Sequence, residues 1–121
     1  MPDFDQGTIV RVPFPYTDRD TRQRRPALVV SNGAIGDGTR LLWVVMITSA
    51  ENRPWAGDVA IPDYQGAGLP APSMVRPVKI ATIEAGYAEP VGRLAGPALA
   101  AVMREVLGVV GTPNRGTAPA A

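Results

Sequence analysis

The sequence contains no cysteine and no histidine, and these two absences exclude several kinds of site. Without cysteine there is neither a disulfide scaffold nor a thiolate metal site, which fits a protein of the reducing cytoplasm. Without histidine the chain lacks the most common general acid–base and a common zinc ligand. No apolar run approaches transmembrane length, and the acidic residues 1–5 are unlike a signal peptide. We therefore predict a cytoplasmic protein with no membrane segment, metal or cofactor.

Lysine is also scarce, because Lys79 is the only one and every other basic residue is an arginine. The formal net charge of +1 says little about partners, but residues 11–25 hold five arginines against two aspartates. A local basic patch on a nearly neutral protein is suited to an anionic ligand bound at one face. A solvated loop has the same composition, so the patch alone does not decide between the two.

Length and hydrophobic pattern predict one small domain, which we place at residues 1–110, with 111–121 as a disordered tail. Short apolar runs predict about six strands, at 7–14, 26–31, 41–47, 58–62, 73–83 and 86–94. Pro77 either divides the fifth run into two strands or interrupts a single one. An apolar stripe from Leu99 to Val110 has helical spacing, with Pro97 before it and Gly111 after it. The expected fold is mainly β, a small barrel with one helix packed on its side.

Two of the predicted strands carry polar residues at ends that topology can bring together. Residues 26–30 are continuously apolar, which predicts a strand buried on both faces, and the strand near 41–47 runs into Thr48-Ser49. If these strands pair as an antiparallel hairpin, Arg25 at the start of one lies beside Thr48 at the end of the other. Ordinary strand-end hydrogen bonding explains Thr48 equally well. Protection of a hydrophobic strand from aggregation likewise explains Arg24 and Arg25.

Four segments in this order resemble the MazF/PemK family of toxin endoribonucleases. They are Gly-x-Ile-Val-x-Val-x-Phe at 7–14, Arg-Pro-x-Leu-Val-Val-Ser-Asn at 25–32, Ile-Thr-Ser at 47–49 and Ser-x-Val-Arg-Pro-x-Lys-Ile-x-Thr-Ile at 73–83. The resemblance covers roughly residues 7–110. It implies an SH3-like barrel of the CcdB/PemK type, a homodimer, and sequence-selective cleavage of single-stranded RNA without a metal. It also implies a cognate antitoxin that inhibits the toxin, and DNA binding by the toxin–antitoxin complex.

Carried over position by position, the resemblance implies that Arg25 and Thr48 are catalytic. Asp20 stands five positions before the Arg-Pro pair, where some relatives have an acidic residue, and it is our candidate general base. We expect substrate contacts from basic, hydroxyl and aromatic side chains near these positions, namely Ser49, Arg76, Arg24, Lys79, Arg53 and Trp55. A loop tryptophan such as Trp55 can stack on a base, and it equally fits the core or a dimer interface.

Val78 departs from the family pattern. Relatives often carry an aspartate there, two residues after the Val-Arg arginine, as a proposed general base. The absence of this aspartate disfavours a mechanism that uses an Asp–Arg pair and leaves Arg25 and Thr48 as the catalytic candidates. The expected products are a 2′,3′-cyclic phosphate and a 5′-hydroxyl. Two alternatives stay open: a non-catalytic toxin that binds a protein target such as gyrase, and a degenerate homologue that binds only antitoxin or RNA.

Overall fold

A computed structural model describes residues 4–13, 24–38 and 40–113. These residues form six strands, one short 3-10 helix and one α-helix. In chain order they are β1 (Thr8–Val12), β2 (Arg25–Val29), β3 (Leu41–Ser49), β4 (Val59–Ala60), β5 (Ser73–Glu84), the 3-10 helix (Ala85–Tyr87), β6 (Glu89–Arg93) and α1 (Gly96–Val110). The predicted mainly-β fold with a C-terminal helix is confirmed. Most of the predicted tail, residues 114–121, lies outside the described residues.

The strands form one antiparallel sheet in the order β4-β5-β3-β2-β1-β6, curled into a half-barrel. β2 and β3 pair antiparallel, with Ala27 opposite Met46, so the predicted hairpin is confirmed. β2 lies inside the sheet, and successive residues of 27–30 face two different cores. Leu28 and Val30 belong to one core, and Ala27 and Val29 to the other. Burial on both faces explains why this stretch has no polar alternation.

β5 is one strand of 12 residues that is interrupted at Pro77. Opposite it on β3, Val45 pairs with Ile80 and the next residue, Met46, pairs with Arg76, so residues 77–79 bulge out of the ladder. A bulge tolerates the missing N–H of proline and bends the strand. Of the two alternatives predicted from the sequence, the single interrupted strand is therefore the observed one.

The helix α1 has the predicted ends. Pro97 lies in its first turn, and Gly111 ends it with a φ of 69° and an N–H that donates to the carbonyl of Leu107 at 2.7 Å. Val102 and Val106 are buried in the core that contains Leu28. The stripe is thus buried only in part, because Leu107 is 62% exposed. Within the described part of the chain, no helix has the length and apolarity needed to cross a membrane.

The segment between β4 and β5 packs against β6 through backbone atoms. A Cβ on Gly92 would overlap the carbonyl oxygen of Ala67, and a Cβ on Gly68 would overlap that of Val91. Gly68 also has a φ of +88°, a conformation that other residues rarely adopt. This close docking buries Leu69 at the edge of the core, where it becomes one wall of the site described next.

Candidate active site

A cleft of about 260 Å³ opens where β2 begins and β3 ends. Ala27 lies opposite Met46, so the same antiparallel register continued by two residues sets Arg25 opposite Thr48. Opposite residues of paired strands project from the same face, and both of these side chains line the cleft. Ser49 lines it as well, and residues 69–73 form the facing wall. The expected convergence of Arg25 and Thr48 is therefore observed, whereas their catalytic role stays a prediction.

The hydroxyl of Thr48 is held by a residue that the sequence reasoning did not select. Nδ2 of Asn52 donates to Oγ1 of Thr48 at 2.6 Å. The turn that brings it there is closed by two bonds to Ser49: the N–H of Asn52 donates to its carbonyl at 3.0 Å, and the N–H of Glu51 to its Oγ at 3.2 Å. Because Oγ1 accepts from Asn52, the hydroxyl proton of Thr48 is available to another acceptor. The sequence signal for this contact is an asparagine in the turn that directly follows a threonine at a strand end.

Arg24 lies beside a second cavity, of about 340 Å³, rather than in the cleft itself. Its guanidinium donates to the carbonyls of Arg11 at 3.3 Å and of Tyr87 at 3.0 Å. Pro26 and residues 69–70 border both the cleft and this cavity. The two cavities are therefore adjacent, with Arg25 lining one and Arg24 lining the other.

Arg76 does not present its charge to solvent, because it is 6% exposed and its guanidinium is hydrogen-bonded within the protein. Nε and Nη2 donate to the two carboxylate oxygens of Asp58 at 3.1 and 2.9 Å, and Nη2 also donates to the carbonyl of Arg53 at 3.0 Å. Burial alone raises the pKa of Asp58, but hydrogen bonds from Arg76 and from the N–H of Trp55 outweigh it, and the net pKa is lowered. Asp58 was not selected from the sequence.

Trp55 lies against this ion pair. Cζ of Arg76 is 4.0 Å from the centroid of the Trp55 ring, and Nζ of Lys79 is 5.6 Å from it. The Trp55 N–H donates to Oδ2 of Asp58 at 2.8 Å, and the Asp58 N–H donates to the Trp55 carbonyl at 3.1 Å. Trp55 is 43% exposed, so it is not a core residue. The predicted contacts Arg53, Trp55, Arg76 and Lys79 thus form one group, and Arg25, Thr48 and Ser49 form another.

Asp20, the candidate general base, lies in 14–23, outside the residues that the structure describes. Its role therefore stays a prediction from the sequence.

Comparison with known proteins decides the family. Residues 5–110 match the family described as PemK-like, MazF-like toxin of type II toxin–antitoxin system. The chain belongs to this family. The predicted resemblance is thereby confirmed over the barrel and the helix. None of the curated proteins matches the chain by sequence.

Solved structures with similar folds include two from Deinococcus radiodurans. MazF (Form-I) has a TM-score of 0.72 and 24% identity, covering 93% of this chain and 100% of that one. The MazE–MazF complex (Form-II) also has a TM-score of 0.72 and 24% identity, over 93% and 99%. An endoribonuclease in complex with its cognate antitoxin from a mycobacterial species has a TM-score of 0.68 and 21% identity, over 93% and 98%. At these identities the likeness shows the shared fold.

Proposed function

We propose that this MazF-like toxin is an endoribonuclease that cleaves single-stranded RNA by attack of a ribose 2′-hydroxyl on the adjacent phosphate. The observation that carries the proposal is the convergence of Arg25 and Thr48 on one cleft from the ends of two buried, paired strands. Rigid strands hold such side chains more accurately than loops do. Membership of the toxin family supports the same function.

The reaction needs stabilisation of negative charge more than it needs a nucleophile from the protein. The 2′-oxygen forms a bond to phosphorus, the P–O5′ bond breaks, and the products are a 2′,3′-cyclic phosphate and a 5′-hydroxyl. In between, the phosphorane carries extra charge on its non-bridging oxygens. The planar guanidinium of Arg25 is suited to pair with two such oxygens, and the hydroxyl of Thr48, held by Asn52, donates to one of them. No metal ion is required by this scheme, because side chains supply the donors.

The proton of the 2′-hydroxyl needs a separate acceptor, since arginine stays protonated at ordinary pH. In a chain without histidine the normal choice is a carboxylate, and we assign this role to Asp20. Asp20 accepts the proton and returns it to solvent, and water protonates the departing 5′-oxygen.

The surroundings of the cleft favour an extended, unpaired strand as substrate. Arg24 borders the neighbouring cavity, and Lys79 lies beside the exposed Trp55, three residues after Asn52 of the cleft. Basic side chains follow a phosphate backbone, and an exposed aromatic ring stacks on any unpaired base. Ser49 and Arg53 complete the proposed contact surface.

We also propose a cytoplasmic homodimer that is inhibited by a cognate antitoxin. An apolar groove of about 580 Å³ between α1 and β3 supports the dimer, because Trp43, Leu107 and Val110 line it and are largely exposed. Apolar surface of this kind is typical of a protein–protein interface. For the antitoxin, the supporting observation is membership of a toxin–antitoxin family.

The function is tested by incubating the purified protein with mixed-sequence RNA in EDTA and mapping the ends of the fragments. Cleavage that leaves cyclic phosphates and is lost in Arg25→Ala and Thr48→Ala is the expected result. Cleavage that Arg25→Ala leaves intact would move the chemistry elsewhere. If no RNA is cleaved, the protein is a toxin with a protein target or a homologue that only binds. For Asp20, an unchanged pH–rate profile in Asp20→Asn would remove it as the base.

A further inference from the structure

The buried ion pair between Asp58 and Arg76 has no place in the reaction scheme above, although it lies close to the cleft. β3 sets Met46 opposite Arg76 and Thr48 opposite Met74, so Arg76 lies two rows of the ladder away from the proposed catalytic pair. Cross-strand rows that are two residues apart share a face and are separated by about 7 Å. The face of the sheet that carries Thr48 therefore also carries the Arg76 side chain, and the ring of Trp55 lies over the Arg76 guanidinium.

The bonds around Asp58 fix Trp55 more tightly than an exposed loop residue is usually fixed. Oδ2 of Asp58 receives both the Trp55 N–H at 2.8 Å and Nη2 of Arg76 at 2.9 Å. The guanidinium of Arg76 in turn lies over the ring of Trp55, with Cζ 4.0 Å from the ring centroid. Its Nη2 also donates to the carbonyl of Arg53. One carboxylate thus holds both the backbone of the tryptophan and the cation against its ring.

We propose that Asp58 and Arg76 are positioning residues that hold Trp55 as a preformed stacking platform for an unpaired RNA base next to the scissile phosphate. The inference rests on the proposed endoribonuclease function and gives Arg76 a different role from the direct substrate contact predicted from the sequence. With two donors committed to Asp58, the guanidinium acts through the tryptophan ring. Trp55 is 43% exposed with the Arg76 contact made, which leaves surface for a base. Holding the ring before binding lowers the ordering cost that the RNA would otherwise meet.

Tryptophan fluorescence can report on Trp55 alone once Trp43 is replaced, because the sequence contains only these two tryptophans. In a Trp43→Phe parent, all tryptophan emission comes from Trp55. The probe is a mixed pool of 2′-O-methyl single-stranded RNA, which has no free 2′-hydroxyl and is not cleaved. We expect this RNA to quench Trp55 in the parent. In Asp58→Asn we expect red-shifted emission before RNA is added, and loss of the quenching by RNA.

Steady-state cleavage separates positioning from chemistry. Stacking of one base is worth about 1–3 kcal/mol, or about 5- to 150-fold. Asp58→Asn should therefore raise KM at least about fivefold and leave kcat within about twofold. The matched control is Glu51→Gln, which removes one carboxylate charge from an exposed position in the same loop and should behave like the parent. Trp55→Leu should raise KM as Asp58→Asn does, and Trp55→Phe should restore most of the affinity.

Several results would overturn the inference. One is an Asp58→Asn variant that matches Glu51→Gln in both emission and KM. Another is a fall in kcat at constant KM, which would put Arg76 on the reacting phosphate. If Asp58→Asn does not fold, Trp55→Leu decides, and an unchanged KM there overturns the platform. If the wild type cleaves no RNA, the proposed function fails, yet quenching of Trp55 by the uncleaved pool still tests the platform independently. Loss of antitoxin binding alone in Trp55→Leu would assign the ring to the partner protein instead.

Discussion

The carboxylate of Asp58 and the guanidinium of Arg76 form a two-point ion pair, with Nε–Oδ1 at 3.1 Å and Nη2–Oδ2 at 2.9 Å. Both side chains are almost fully buried, at 6% and 7% exposure. Removal of one partner from such a pair leaves an uncompensated buried charge. The pair ties the loop after β3 to the middle of β5, so it links stability to the surface beside the cleft.

This pair makes stability depend on pH in a defined direction. The pKa of Asp58 is lowered in the folded protein, so the pair stabilises fully above the unfolded pKa and is lost as pH falls through the folded one. We expect Asp58→Asn to lower the free energy of unfolding at neutral pH by about 3 kcal/mol. The difference from wild type should shrink below about pH 4. Urea unfolding across pH measures it, with Glu51→Gln as control, and a constant difference would contradict the assignment.

Arg25 is expected to act through the geometry of its guanidinium and not through charge alone. Arg25→Lys keeps the charge but loses the planar pair of donors. We therefore expect kcat to fall at least about 100-fold, the cost of losing a main transition-state contact. The measurement is single-turnover cleavage of RNA, together with circular dichroism to verify folding. Arg104→Lys on the exposed face of α1 is the matched control and should cleave at the wild-type rate.

The convergence of Arg25 and Thr48 was predictable because local signals set it. A continuously apolar strand, a glycine-rich turn and a second apolar strand leave little freedom in pairing, and an antiparallel register then sets which ends meet. The ends of α1 were predictable for the same reason, since proline and glycine act within one turn of the helix. In both cases the sequence signal and the structural feature lie close together in the chain.

The partners of Arg76 were not predictable in this way. Arg76 and Asp58 are separated by 18 positions, and nothing local tells which of several carboxylates meets which arginine. The bulge at 77–79 was equally hidden, because proline indicates a break in pairing but not whether the strand resumes. Asn52 was overlooked since its contact with Thr48 depends on the shape of one turn.

Asn52 is expected to set the direction of the Thr48 hydroxyl. Asn52→Ala removes the donor that is 2.6 Å from Oγ1, and the hydroxyl is then free to rotate away from the phosphate. We expect kcat to fall about 10- to 100-fold, as for a misplaced catalytic group. In a Thr48→Ala background the same substitution should have little further effect, because the two residues act as a unit. Asn32→Ala, in a turn away from the cleft, is the control, and additive effects of Asn52 and Thr48 would rule out the coupling.

The apolar groove between α1 and β3, which we propose as the dimer interface, predicts how a charge placed there affects dimer formation. Leu107 is 62% exposed and lines this groove, so Leu107→Glu places a carboxylate where a second copy of the chain would bury it. We expect light scattering to show a dimer for the wild type and a monomer for Leu107→Glu at the same concentration. Ala100→Glu adds the same charge on the exposed side of α1 and should leave the dimer intact. A Leu107→Glu variant that remains dimeric would place the interface on another surface.

The wall of the cleft depends on a close approach between two backbone segments, at 67–68 and 91–92, which the glycines in them allow. A Cβ at Gly92 would overlap the backbone carbonyl oxygen of Ala67, and because side-chain rotation moves neither atom, only a shift of the backbone can relieve the overlap. We expect Gly92→Ala to cost at least about 3 kcal/mol of stability. It should also lower RNA cleavage below the temperature of unfolding, because residues 69–72 shift with Ala67 and line the cleft.

Gly108→Ala is the matched control: its Cβ meets open space on α1, and it should stabilise the protein by about 0.5–1 kcal/mol without changing cleavage. Thermal unfolding and cleavage rates of the two variants, measured side by side, test the role of this contact, and equal stabilities would contradict it.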